Sequence, residues 1–279
     1  CELVPYAYCA GADLSYMDLS GMDLTGINLR GANLQNATFD YATLDGADLR
    51  SIVAMNATFI HTGMNKTYLQ NAEFNRLDTR LYVCGGYCGP ANLTHAHLEH
   101  AYVIGADFRY ADLTDASFYA ADSTDVDLLY ADLTDADLRF ADLTNANLAY
   151  ANLTNANLYQ ADSTDVDFFN ADLTDADLRV ADLTNANLAY TDLTNADLFQ
   201  ADLTNADLAY ADLTDADLRF ADLTNAEFRY ADLTNANLYI ADLTNADFSY
   251  ATVTNADFTS TTWSNTIWTD GVAYNTNQA

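Results

Sequence analysis

Four side chains of the kind that ligate transition metals fall close together: His95, His97, Glu99 and His100. Imidazole with carboxylate suits a surface Zn²⁺- or Cu²⁺-type site. The competing reading is a run of ordinary exposed polar residues. A second set is the column Asp115, Asp135, Asp175 and Asp215, separated by multiples of 20. Carboxylates repeated along one line could bridge a hard cation such as Ca²⁺. The competing reading there is a solvated acidic face that keeps a β-rich surface soluble. No EF-hand loop or glycine-rich nonapeptide sharpens the Ca²⁺ reading, and no other cofactor is expected. The four cysteines, Cys1, Cys9, Cys84 and Cys88, suggest two disulfides with three pairings open. The local pairing joins Cys1 to Cys9 and Cys84 to Cys88. A metal site is the weaker idea, because Cys84-Gly85-Gly86-Tyr87-Cys88 has no second matching pair.

Nothing groups residues for catalysis. No Ser-His-Asp or Cys-His arrangement is suggested, and no glycine occurs between Gly105 and Gly271 to cradle phosphate. The chain is therefore expected not to be an enzyme. Acidic residues number 41 against 10 basic ones, giving a net charge of −31. Lys66 is the one lysine, so a partner bound through nucleic-acid phosphates is excluded as an expectation. A basic partner, a cation, plain solubility or a salt-rich habitat remain. Half the residues are apolar, enough to build a core. No apolar run reaches the ~18 residues of a membrane span. The chain starts at Cys1 rather than Met. That reads as a processed, exported protein or a truncated one, and a lipid anchor on Cys1 competes with a disulfide there.

What must position these groups is a repeat of five. Ala111-Asp112-Leu113-Thr114-Asp115, Ala131-Asp132-Leu133-Thr134-Asp135 and Ala221-Asp222-Leu223-Thr224-Asn225 are three copies. The same spacing runs earlier in Ala12-Asp13-Leu14, Met22-Asp23-Leu24 and Ala47-Asp48-Leu49. An every-fifth stripe drifts ~140° per repeat on an α-helix and changes sides on a strand, so neither element keeps it on one face. A chain that turns a corner every five residues does. Four short sides close a square coil of 20 residues, with the central Leu or Phe and the Ala two places before it inside. The phase changes once, between Cys84 and Leu93. It reads as one missing residue in the turn at Gly85 to Pro90.

These A-(D/N)-L-x-x units resemble the pentapeptide repeat family over about Ala12 to Asn265. The resemblance implies an all-β fold, a right-handed quadrilateral β-helix of about 13 coils of 20 residues. The expected organisation is an N-terminal arm at 1–11 and a first repeat segment at 12–84, irregular from about 52. A cysteine-rich phase break follows at 85–90, then a regular β-helix at 91–265 and an end segment at 266–279. Some members of the family resemble B-DNA in shape and charge and protect type II topoisomerases. About 13 coils at ~4.8 Å span roughly 62 Å, so −31 is about one charge per 2 Å, near the ~1.7 Å of duplex DNA. The gyrase-binding members dimerise through a C-terminal helix, which this sequence lacks.

Residues 20 apart share a face. One outward column reads Tyr110, Tyr130, Tyr150, Asn170, Tyr190, Tyr210, Tyr230 and Tyr250, a tyrosine ladder with one gap. On the opposite face Tyr119, Arg139, Tyr159, Arg179, Phe199, Arg219 and Tyr239 alternate rings with guanidinium groups, suited to cation–π stacking. Beside it runs the mostly apolar column of Phe140, Gln160, Val180, Gln200, Phe220 and Ile240. These ladders either stabilise coil stacking or mark lateral association. On the remaining faces Asn interleaved with Asp dilutes repulsion and permits amide ladders.

The leading expectation is an exported structural protein, extracellular or at the cell surface. It would assemble head to tail as a homopolymer, because no amphipathic helix caps its C-terminal end. Trp263 and Trp268 would fill the last coils. The alternatives are a DNA mimic that binds a type II topoisomerase and a cation-binding surface adhesin.

Overall fold

The computed structural model describes residues 1–59, 62–64, 66–69, 72 and 92–277. The chain divides into two compact units, Cys1–Asp142 and Leu143–Ala279. In both, parallel bridges join each side of a coil to the residue 20 further on. In the first unit Asp107, Asp112, Ser117 and Asp122 pair with Asp127, Asp132, Asp137 and Asp142. In the second, Asp162, Asp167, Asp172 and Asp177 pair with Asp182, Asn187, Asp192 and Asp197. Four bridges five residues apart, then a return to the first, make a coil of four sides. Among the described residues there is no α-helix.

One pentapeptide, Ala171 to Asp175, shows why five residues suffice. Ala171 N–H closes the turn on Phe168 C=O at 2.9 Å, and Asp172 N–H reaches back one coil to Ala151 C=O at 2.9 Å. Leu173 N–H reaches forward to Asp192 C=O at 2.7 Å, and Asp175 N–H to Thr194 C=O at 3.0 Å. The fifth donor, Thr174 N–H, has no backbone partner; the side chain of Asp172 accepts it at 3.0 Å. Every donor of the unit is thus satisfied, as a buried-edged ladder requires. The turn needs a third residue with positive φ, and Asp175 adopts +58°. Asp and Asn tolerate that region better than other side chains, which is why Thr-Asp and Thr-Asn recur at two of the four corners.

The interior of each unit is a column of Leu or Phe with Ala beside it, all essentially without solvent contact. Burying a Leu contributes ~1.5–3 kcal/mol. Phe39 stacks on Phe59 at 4.9 Å and Phe228 on Phe248 at 4.6 Å, each pair nearly parallel. Among the units that depart from this rule, two are alike. In Asp122-Ser123-Thr124-Asp125-Val126 and Asp162-Ser163-Thr164-Asp165-Val166, Ser replaces the central Leu and Val replaces the following Ala. Core volume moves from one inward position to the next. The hydroxyls of Ser123 and Ser163 are buried without a hydrogen-bond partner.

The bridges hold register across the phase change. Gly63 bridges Asn92 and Tyr68 bridges His97, so this coil advances by 29 residues instead of 20. This step is nine residues longer than the common one. Nine is one short of two repeats, and so a one-residue deletion and this longer step leave the same phase. The Gly85–Pro90 turn, Cys84 and Cys88 lie outside the described residues.

At the N-terminal end the segment expected as an arm is coil from Tyr6 onward. Tyr6 N–H donates to Thr25 C=O at 2.8 Å, and Tyr8 bridges Asn28. The C-terminal end also differs from expectation. Two short strands, β1 (Thr266–Ile267) and β2 (Ala273–Tyr274), pair antiparallel and fold the chain back on the last coil. Asn275 accepts Asn265 N–H at 2.7 Å, and Asn277 donates to Phe258 C=O at 2.8 Å. Trp268 packs on Phe258 and Trp263, both at 5.0 Å. A hairpin and aromatic plug therefore do the covering that an amphipathic helix would do.

Candidate functional site

The surface of each unit is set by two kinds of outward position. The Asp or Asn before each central residue turns one oxygen back to its own corner. Asp162 Oδ1, for example, accepts Thr164 N–H at 3.1 Å and the Thr164 hydroxyl at 2.8 Å. Sequence reasoning placed these residues outside but missed this task, although the two-residue step from Asx to Thr that recurs at two of the four corners signals it. The bridges stack these side chains into columns. Asp162, Asp182, Asp202, Asp222 and Asp242 form one unbroken line of carboxylates, and Asp172, Asp192, Asp212 and Asp232 another. At a ~4.8 Å repeat, neighbouring charges repel by about 0.9 kcal/mol in water-like dielectric.

Hydrogen bonds offset part of that cost. Ser15, Ser20, Thr25 and Thr259 hold the carboxyls of Asp13, Asp18, Asp23 and Asp257 below the usual carboxylate range. Hydrogen bonds from Arg50 do the same for Asp48. Asp197 goes the other way: burial pushes its carboxyl up, and the charge of Asp217 adds to it.

The arginines of the alternating column have partners that the spacing did not reveal. Arg139, Arg179 and Arg219 each grip the carboxylate two residues earlier: Asp137, Asp177 and Asp217. Arg179 also faces Asp197 in the next coil at 3.6 Å. The guanidinium groups lie over the neighbouring rings as expected, Arg139 on Tyr119 at 5.3 Å, Arg179 on Tyr159 at 5.5 Å and Arg219 on Phe199 at 5.4 Å. Phe220 packs edge-on between Phe199 and Tyr239.

The tyrosine column stacks face to face within each unit. Tyr110 and Tyr130 lie 5.1 Å apart in the first. Tyr190, Tyr210, Tyr230 and Tyr250 follow at 4.8, 4.9 and 5.0 Å in the second. The gap at Asn170 is filled. Phe169, one place earlier, reaches between Tyr150 and Tyr190 at 5.5 Å from each. Its signal in the sequence was an aromatic next to the missing one.

The candidate metal ligands do not converge. His95 faces Asp115 at 3.3 Å, His97 pairs with Glu99 at 3.0 Å and stacks on Tyr68, and His100 meets Tyr119 edge-on. His97, Glu99 and His100 share one pentapeptide and His95 lies in the one before, yet each imidazole turns to a different partner. Asp115, Asp135, Asp175 and Asp215 are turn residues with positive φ. In the second unit Asn195 and Asn235 interrupt their column. The matching column there runs as an amide ladder, Asn185, Asn205, Asn225 and Asn245 linked at about 3.0 Å. Among the described residues no three His, Cys, Asp or Glu side chains gather as a ligand set. Cys1 and Cys9 are joined in a disulfide. Among the described residues no helix is long and apolar enough to cross a membrane.

A coil built from an alanine, an Asx turn acceptor, a buried leucine and a two-residue corner defines a parallel β-solenoid of pentapeptide units. The chain belongs to the pentapeptide repeat family: the family's profile, "Pentapeptide repeats", matches in 8 copies over residues 7–40, 91–122, 124–162, 164–200, 201–239 and 241–262. Among solved structures it is similar to HetL, a pentapeptide repeat protein involved in heterocyst differentiation regulation from the cyanobacterium Nostoc sp. strain PCC 7120. Identity is 30%, over 81% of this chain and 91% of that one, with a TM-score of 0.30. A trypsin-treated form of QnrB1, a plasmid-mediated fluoroquinolone resistance protein, is 17% identical over 91% of this chain and 88% of that one, at TM-score 0.31. A pentapeptide repeat protein of the Arabidopsis thaliana thylakoid lumen is 24% identical over 50% and 68%, at TM-score 0.16. None of the curated proteins matches the chain.

Proposed function

We propose that the chain is a non-catalytic acidic scaffold that binds a basic protein surface. The observation that carries this is the unbroken carboxylate line of Asp162, Asp182, Asp202, Asp222 and Asp242, held in register by backbone bridges. Fixed like charges at a short repeat focus a negative potential that steers and holds a cationic partner. The coil is read as right-handed and quadrilateral, with about 13 turns, as the family implies. The Cys1–Cys9 disulfide supports an oxidising compartment, and so an exported or surface location. Head-to-tail polymerisation has less support, because it needs an open coil at each end and the β1–β2 hairpin lies across one of them.

DNA mimicry toward a type II topoisomerase is the special case in which the basic surface is one that binds duplex. The test is calorimetric titration of the non-reduced chain with a type II topoisomerase and, separately, with a basic protein that has no nucleic-acid role. The expected result is binding of at least one, weakening steeply with salt. If neither binds at 50 mM salt, the scaffold reading fails. Binding of the topoisomerase alone, displaced by duplex DNA, would establish the mimic. Long fibres of the native protein under the electron microscope would return the filament to first place.

A further inference from the structure

The second unit holds a column of phenols set one coil apart. Tyr190, Tyr210, Tyr230 and Tyr250 follow one another with ring centroids at 4.8, 4.9 and 5.0 Å and planes within 6°, 9° and 12° of parallel. Rings repeated from coil to coil keep equivalent atoms about one repeat apart, so each ortho carbon has its counterpart on the next rung within about 5 Å. The four are 50%, 49%, 50% and 64% exposed, which opens their edges to a reagent and lets water take a proton. No Met, Cys or His occurs from Leu143 to Ala279. The sulfur side chains that commonly intercept oxidants are thus missing from this unit. Of its two tryptophans, Trp263 is buried and Trp268 is packed on Phe258 and Trp263. Other tyrosines of the unit lack a stacked phenol. Arg179 lies over Tyr159, Phe220 packs edge-on against Tyr239, and Phe169 separates Tyr150 from Tyr190.

We propose that neighbouring rungs of this ladder are a site of oxidative cross-linking, joined ortho to ortho as dityrosine by a one-electron oxidant of the haem-peroxidase class acting with hydrogen peroxide. Each of two rings gives up one electron and its phenolic proton. The two phenoxyl radicals bond through their ortho carbons. Each ring then loses its ortho hydrogen as a proton while its oxygen regains one, which restores aromaticity. The net loss is two electrons and two protons, and these reduce one hydrogen peroxide to two waters. Half-exposed rings can turn about Cβ–Cγ to close the remaining gap, because that torsion is broad. Holding both rings on one wall makes the coupling intramolecular, so it outruns encounter between chains. The product staples one coil to the next.

The test treats the intact chain at micromolar concentration with a haem peroxidase and hydrogen peroxide. Dityrosine fluorescence, denaturing electrophoresis and peptide mass mapping follow the product. The expected product migrates as a single chain and has lost two hydrogens for each linked pair among Tyr190, Tyr210, Tyr230 and Tyr250. Tyr210→Phe combined with Tyr250→Phe keeps the stack of rings but leaves no two phenols on adjacent rungs. It should cut the linked peptides of this unit about tenfold. Tyr159→Phe combined with Tyr239→Phe removes as many phenols and should leave the yield unchanged. Links chiefly between chains, links spread evenly over Tyr150, Tyr159 and Tyr239, oxidation confined to the tryptophans, or a yield that survives loss of the Tyr210 and Tyr250 hydroxyls would each overturn the site. The basic-partner reading is decided separately, by the titrations of whole proteins.

Discussion

At the residue scale the repeating aspartate has two duties that are easily confused. One oxygen closes the corner and the other contributes charge. Asn serves the first duty alone: Asn152 accepts Thr154 N–H at 3.1 Å, much as Asp172 accepts Thr174 N–H at 3.0 Å. Asp172→Ala should therefore cost about 1 kcal/mol by orphaning one turn donor, whereas Asp172→Asn should be neutral or slightly stabilising at pH 7. Urea denaturation of both variants measures the difference. The same logic sets the pH response. Asp257 and Asp13 titrate below the usual range because Thr259 and Ser15 donate to their charged forms. Their stabilisation is present above the unfolded value of about 3.9 and is lost as pH falls through the lower folded value. Asp197 has a raised folded pKa, so its charge opposes folding at neutral pH and protonation relieves it. Asp197→Asn should raise the midpoint of thermal unfolding at pH 7, and that gain should shrink toward pH 4 as the wild-type carboxyl protonates.

At the scale of the element, a five-residue unit is legible in sequence because its inward positions are so uniform. Ala and Leu recur at most inward positions, with Phe, Val and an occasional Ser or Thr in their place, and the period rules out helix and strand without further information. What was not legible came from contacts between units. The arginine–carboxylate grips depend on a side chain folding back two residues, and Phe169 replaces a tyrosine from the adjacent column. The 29-residue register step was hidden because phase arithmetic counts only remainders of five. The Ser163 and Val166 unit tests how strictly the interior conserves volume. Ser163→Leu alone should overpack against Val166, and Val166→Ala alone should open a void, each destabilising by about 1 kcal/mol or more. Together they restore the common unit and remove an unpaired buried hydroxyl. The double variant should thus be more stable than the parent by about 1–3 kcal/mol, a non-additivity that a double-mutant cycle by chemical denaturation would reveal. Additive losses would mean that the neighbouring coils, not the Ser–Val pair, set the core volume.

At the scale of the whole molecule, the net charge of −31 acts on folding and on binding with opposite signs. The bridges that stack carboxylates within each unit hold like charges closer than a Debye length, which is ~10 Å at 0.1 M salt. Raising salt screens that repulsion, so thermal stability should climb between about 10 and 200 mM salt and then level off. Screening also removes the attraction for a cationic partner, and so affinity should fall over the same range. A chain whose acidity served only to maintain solubility would show the first trend without the second. A surface governed by bound Ca²⁺ would instead gain stability from micromolar Ca²⁺ far more than from matched ionic strength of NaCl. Calorimetric scans in NaCl and CaCl₂ at equal ionic strength, set beside partner titrations in the same buffers, separate the three cases. Coincident scans with a falling affinity are the outcome expected of a scaffold that uses its carboxylate lines as a fixed negative surface.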